Sequence, residues 1–434
     1  MPSIRRSSAI LLGIRLYGVG MTFIVTILLA RGLGAEGYGR YAFIFAIVSL
    51  ASLPTQFGLP DLVVRETARA VAEKTFGLTT SLWSWAHIFI AVSSSVIAVG
   101  VLFVALVLGT GWVSEFQALA VAVILIPLIS FSNLRAAALR GLGHDLQGQF
   151  PEHAIRPTVF AVGLVAVLWL SPASLSVTGA FAIQVAAAAL ATLFGVVLFW
   201  RFAPRADPVS PSPKKKREWT RALIFMGSIS GLMLVNSSVD ILMLGTWDTD
   251  SEVGRYRLAS MVGALITLGL QTMNIFAMPY LSRHFHNEEW DDLSRVVHQT
   301  TQISFGFSLI AFVAILVAGK PMLGWVFGAE FSAAFSILVL LAIGHIANAF
   351  FGPAGAILTM QGAERLAAGI MAMGTLVNVV LNALLIPNYA GEGAAIASSV
   401  SIIAAKAAMF LIVWRRNKIL SWPISGSISK GRKL

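Results

Sequence analysis

Long apolar runs separated by short polar stretches organise this chain from end to end. They lie near 8–30, 39–59, 82–108, 116–134, 158–171 and 178–200, and again near 222–246, 256–280, 299–318, 333–358, 366–387 and 393–414. Most reach the roughly 20 apolar residues that a helix needs to cross a bilayer core, so the pattern predicts about twelve transmembrane helices. The fifth run, 158–171, is short for that task. The first run extends beyond twenty residues and meets Arg31 rather than a small-residue cleavage site, so it reads as a retained helix and not a signal peptide.

Charge orients these spans. Of the 31 Lys and Arg residues, 24 fall before the first run, in alternate loops and in the tail, against 5 in the opposite loops (Arg31, Arg40, Arg255, Arg257, Lys320). Cytoplasmic loops carry such an excess, which predicts both termini in the cytoplasm. The remaining two, Arg15 and Lys406, interrupt apolar runs.

The longest polar connection, 201–221, holds Pro204, Pro208, Pro211, Pro213 and the basic run Lys214-Lys215-Lys216-Arg217. It reads as a solvated linker between a bundle at 1–200 and a bundle at 222–414, followed by a basic tail at 415–434. The halves echo each other. Gly39-Arg40-Tyr41 recurs as Gly254-Arg255-Tyr256, 215 positions later, and Gly179-Ala180 as Gly393-Ala394, 214 positions later. Six helices per repeat make the repeats parallel, related by an axis along the membrane normal. The expected fold is an all-α membrane protein of two six-helix bundles around a central V-shaped cavity, the architecture of a transporter that rocks one half against the other.

Composition agrees: 57% of the residues are hydrophobic and 12% charged, with mean hydropathy +0.81. The net charge of +11 resides in the loops, so nucleic acid is not an expected partner. Cysteine is absent, which removes thiolate chemistry. No phosphate-cradling glycine loop, His-Glu-x-x-His or nucleophile elbow is present, so neither enzymatic activity nor a cofactor is expected. Energy for transport would come from an ion gradient, H+ or Na+, or from a partner. The Arg-Gly-Leu-Gly stretches at 31–34 and 140–143 read as helix ends.

Ionisable groups inside a bilayer are costly and usually functional. Arg15 lies nine residues beyond Arg6, about 13 Å along a helix; Lys406 is equally far from Arg415. Both are candidate ligands for an anionic substrate. Asp240, one turn after Asn236, is a candidate coupling group, either paired with one of those cations or binding a proton. His345, Gln271, Asn274 and Asn378 are candidate cavity-lining residues; His345 pairs with Asn348 one turn on, and Asn378 with Asn382. Gly352-Pro353 and Pro279 are expected to break helices.

Two stretches carry a resemblance. Leu28-Leu29-Ala30-Arg31-Gly32-Leu33-Gly34-Ala35-Glu36-Gly37-Tyr38-Gly39-Arg40-Tyr41, with Phe57-Gly58-Leu59 and Arg65-Glu66 after it, resembles the N-terminal signature of bacterial polysaccharide and O-antigen flippases. Asp240 with Met243-Leu244-Gly245, Val253-Gly254-Arg255-Tyr256 and Phe327-Gly328-Ala329-Glu330-Phe331 resemble the matching elements of the second half. The resemblance implies flipping of an undecaprenyl-pyrophosphate-linked oligosaccharide through a cationic cavity in the bacterial inner membrane. A polysaccharide polymerase and assembly proteins would be partners, alongside membrane lipids. A multidrug exporter of the same superfamily, and a non-transporting scaffold, are the alternatives.

Overall fold

In the computed structural model, residues 2–107, 116–170, 175–287, 289–417 and 423 are described, and among them the chain is helical, without strands. It folds as two compact units, Met1–Ser238 and Val239–Leu434. Helix α1 (Pro2–Ala51) opens the first unit and bends at Gly34, whose φ of 69° is left-handed; a short turn of helix, Leu53–Gln56, follows it. Then come α2 (Leu59–Glu73), α3 (Gly77–Val107), α4 (Phe116–Gly141), α5 (Asp145–Leu170), α6 (Val177–Phe202) and α7 (Pro213–Trp247), the last running across into the second unit. The second unit continues with α8 (Asp250–Ala264), α9 (Leu268–His286), α10 (Trp290–Phe327), α11 (Phe335–Phe350), α12 (Ala354–Met360) and α13 (Glu364–Asn417), which bends at Ala390.

Over their described residues the apolar runs lie mainly on helix. Among the described residues nine helices are long and apolar enough to cross a membrane, two of them being the bent helices that each hold a pair of runs. The outer face fits lipid rather than water: Val92, Val96, Val99 and Phe103 form one stripe of α3, each about two-thirds exposed. Such a continuous apolar stripe at helical spacing needs an apolar solvent. The protein is a multi-pass membrane protein.

Three features differ from the sequence reading. The fifth run is the end of a longer helix: α5 starts at Asp145, passes Pro151 through a single π turn (Pro151–Ile155), and is 26 residues long. At 1.5 Å per residue that is about 39 Å, enough to span. The polar residues before Thr158 are helix, not loop. Second, Pro213 begins a helix, so the basic run lies on the first turns of α7 instead of in an extended linker. Third, α9 continues as helix through position 279, and the interruption comes earlier, at the tight turn Leu265–Thr267. Gly352-Pro353 does separate α11 from α12, Gly352 taking a φ of 63°.

The start of α7 is fastened to the first unit. Helix α2 is amphipathic, turning Leu59, Leu62, Val63, Glu66 and Thr67 inward while Arg65 and Arg69 face out. Glu66 accepts an ion pair from Lys215 at 2.8 Å and another from Arg65 at 3.0 Å. Gly58, at φ 69°, lets α2 start against Gly227: a Cβ there would stand 2.5 Å from the Gly227 amide nitrogen. Upstream, the Val209 amide donates to the Gly77 carbonyl at 3.0 Å. Burial alone would raise the Glu66 carboxyl, but Lys215 and Arg65 outweigh it and hold Glu66 below its ordinary 4.5. A depressed carboxyl stabilises the fold above its unfolded pKa and ceases to as pH falls through the lower, folded value. Glu66→Gln is therefore expected to speed proteolysis within 203–212 roughly fivefold, the factor that follows from losing ~1 kcal/mol of local stability. Acidification of the wild type below pH 4.5 should have the same effect, and unchanged cleavage in both would show that the pair does not hold the segment.

Candidate functional site

Inside the first unit is a cavity of ≈ 600 Å³. One side is cationic. Arg15 of α1 lines it and donates from Nε to Gln149 Oε1 at 2.9 Å. Arg156 lines it from α5 and pairs with Glu152 at 3.1 Å. Arg140, at the end of α4, completes the set, and its Nε is buried without a hydrogen-bond partner among the described residues. The π turn explains how α5 supplies so much. An inserted residue widens the helix, and Gln149, Glu152, His153 and Arg156 all reach the cavity from it. Helix α1 approaches this turn closely at Gly18, where a Cβ would stand 2.7 Å from the His153 carbonyl oxygen.

The other side is polar and acidic. Asn133 donates to Gln56 at 2.7 Å, and Ser230 donates to Asp61 at 3.2 Å. Asp61 sits in the first turn of α2, where the helix dipole favours a carboxylate. The cavity thus offers guanidinium groups to an anion and amide and hydroxyl groups to a hydroxylated ligand.

The second unit holds a different device. Asp240, 8% exposed, accepts from Tyr256 Oη at 2.6 Å, from Asn382 Nδ2 at 2.6 Å and from Ser398 Oγ at 2.5 Å. Asn378 donates to Ser398 at 3.2 Å and accepts from Asn382 at 3.1 Å. Asn382 Oδ1 is buried and unpartnered among the described residues. A buried carboxylate ringed by neutral oxygen-bearing groups, with one amide oxygen to spare, offers oxygen ligands to a small cation.

The sequence candidates divide accordingly. Arg15 lies in the cavity. Asp240 and Asn378 meet, although Asp240 is held by neutral donors rather than by either deep cation. Lys406 stands on α13 about 12 Å beyond Ser398 and makes no ion pair among the described residues. Asn236 is exposed on α7. Gln271 donates to Thr267 at 3.0 Å within its own helix, and the side chain of Asn274 lies outside the described residues. His345 packs its ring on Gly263, with Nδ1 buried and unpartnered among the described residues. Arg140, Glu152 and Arg156 are not among the sequence candidates, although the spacing of Glu152 and Arg156 places them on one helical face. Tyr256 enters the sequence reading through the repeat and the family resemblance, not as a site residue.

The repeat itself is visible in contacts. Tyr41 donates to Gln184 at 2.9 Å, and Tyr256 lies 3.3 Å from Ser398, so the same offset that relates Gly179 to Gly393 relates these partners. At the 215-residue offset of the Gly39-Arg40-Tyr41 repeat Asp240 corresponds to Val25, and at the 214-residue offset Asn378 and Asn382 correspond to Leu164 and Leu168. The carboxylate cage exists in one copy of the repeat, the charged cavity in the other.

A many-helix membrane fold with an internal duplication, a charged cavity and a separate buried carboxylate defines a transporter. Residues 4–285 match the family model described as polysaccharide biosynthesis protein, and residues 229–384 match the MatE model. The chain belongs to the polysaccharide biosynthesis protein family, a flippase family of the superfamily that also includes the multidrug exporters, as the sequence resemblance implied. It is 24% identical over 400 residues to the probable low-salt glycan biosynthesis flippase Agl15 of Haloferax volcanii, covering 91% of this chain and 80% of that one. Its fold is similar to an inward-facing multidrug resistance MATE family transporter (TM-score 0.77, 16% identity, 92% and 94% of the two chains). It is also similar to lipid II flippase MurJ in an inward closed conformation (TM-score 0.73, 12% identity, 94% and 87%).

Proposed function

We propose that this protein flips undecaprenyl-pyrophosphate-linked oligosaccharide units across the bacterial cytoplasmic membrane for polysaccharide assembly, with both termini in the cytoplasm. The observation that carries this reading is the cavity lined by both guanidinium and neutral polar groups. Arg15, Arg140 and Arg156 would receive the pyrophosphate, whose burial in a low-dielectric site without cations would be prohibitive. Gln56, Asn133, Asp61 and Ser230 would meet sugar hydroxyls, while the prenyl chain stays in lipid. Lys406 is retained as a candidate phosphate ligand in the second unit. Asp240 is the proposed coupling group, binding H+ or Na+ within its cage. The protein performs no covalent chemistry in this scheme, and a polymerase would consume the flipped unit.

The matches to multidrug exporters favour a second reading, export of small cations. Three guanidinium groups lining the cavity oppose it, since they repel cationic drugs. Reconstitution into proteoliposomes separates the two. Translocation of a fluorescent lipid-linked oligosaccharide, with no ethidium export, is the expected result; ethidium export without lipid translocation would replace the flippase reading with the exporter.

A further inference from the structure

The cavity contains an anion that the substrate would have to displace. Glu152 and Arg156 each keep only about one-fifth of their side-chain surface exposed, and both line the cavity. The other cations there are not neutralised in this way among the described residues: Arg15 donates to the neutral Gln149, and Arg140 Nε has no partner. The other carboxylate, Asp61, is engaged by Ser230 and its own helix start, not by an arginine. One guanidinium out of three is therefore held by the protein's own carboxylate, on the widened turn that faces the site.

Building on the substrate reading above, we propose that Glu152 is an internal competitor for the substrate phosphate: it holds Arg156 in the unloaded cavity, yields it to the lipid phosphate, and reclaims it to assist release. A transporter must bind its cargo firmly enough to load and loosely enough to unload. A carboxylate that competes for the same guanidinium lowers affinity by about the strength of the displaced pair. Neutralising it should tighten binding and slow release together, an effect opposite to that of losing a substrate ligand.

The test uses full-length protein in nanodiscs with farnesyl diphosphate as probe and farnesol as the uncharged control. Glu152→Gln is expected to lower the Kd for farnesyl diphosphate about three- to tenfold, through a slower off-rate, the range corresponding to a partly exposed ion pair. Glu152→Asp keeps the charge and should stay within about twofold of wild type; its recovery as monodisperse protein also checks that the site tolerates substitution. In an Arg156→Gln background the tightening should vanish, which a merely structural role for Glu152 would not produce. Weaker or unchanged binding in Glu152→Gln, with wild type binding normally, overturns the proposal and leaves the flippase reading intact. A wild type that fails to distinguish farnesyl diphosphate from farnesol removes both.

Discussion

Arg15→Ala should reduce flipping of a lipid-linked oligosaccharide about 100-fold in proteoliposomes while leaving the protein folded. The arginine lies on α1 in the cavity, and its hydrogen-bond partner there is one neutral glutamine, so the fold loses little when it is truncated. The substrate loses more. Removing one member of a charge-assisted contact in a partly dehydrated site costs ~2–4 kcal/mol, much of it from leaving the other charge unpaired. Arg15→Lys should recover only part of this, because an ammonium cannot match the bidentate geometry of a guanidinium on phosphate. Initial rates read from fluorescence quenching of the outer leaflet, normalised to monodisperse protein, provide the measurement. Rates within twofold of wild type would make Arg15 a packing residue and move the phosphate site elsewhere.

Asp240→Asn is the second large effect, and it should affect coupling rather than binding. In the wild type the carboxylate only accepts hydrogen bonds, and Tyr256, Asn382 and Ser398 all point donors at it. An amide at this position turns one acceptor edge into a donor and leaves at least one buried group facing its own kind, at ~1–3 kcal/mol for each unsatisfied partner. It also removes the negative charge that attracts a proton or cation. Stimulation of transport by an imposed pH or Na+ gradient is expected to disappear, whereas farnesyl diphosphate binding, which uses residues of the first unit, should stay close to wild type. Tyr256→Phe removes one donor and should weaken stimulation about fivefold, in line with a single hydrogen bond of ~1 kcal/mol. Persisting stimulation in Asp240→Asn by both gradients would exclude the carboxylate from coupling.

The helices were legible because a bilayer demands long apolar runs, and neither the bends at Gly34 and Ala390 nor the interruption at 265–267 disturbs that signal. The glycine reading at 140–143 holds as well, α4 ending at Gly141 with Gly143 at φ 82°, whereas 31–34 is a bend within α1, Gly34 at φ 69°, rather than an end. Arg15 was legible for the same reason: a lone cation in an apolar run is conspicuous. The rest of the cavity was hidden by the same rule. Gln149, Glu152, His153 and Arg156 make the first turns of α5 too polar to count as membrane helix, so a hydropathy reading assigns them to a loop. Residues that line an aqueous cavity are the ones that such a reading discards. The Asp240 cage was hidden differently. Its members lie 16, 142 and 158 residues from the aspartate, and no local periodicity records contacts at those separations. Only the comparison of repeats gives a trace, since Val25, Leu164 and Leu168 show that the second copy became polar where the first stayed apolar.

The π turn at Pro151–Ile155 also bears on how this chain can change over generations. Such a turn is one residue more than an α-helix needs, and a single-codon deletion is enough to remove it. With the surplus residue gone the turn can close as ordinary α-helix, so the residues from Arg156 to Leu170, with Phe160 and Leu164 buried among them, keep their facing while the groups on the turn itself move against the cavity. Homologous chains aligned across it without regard to the extra residue will be out of register by one position through the second half of the helix.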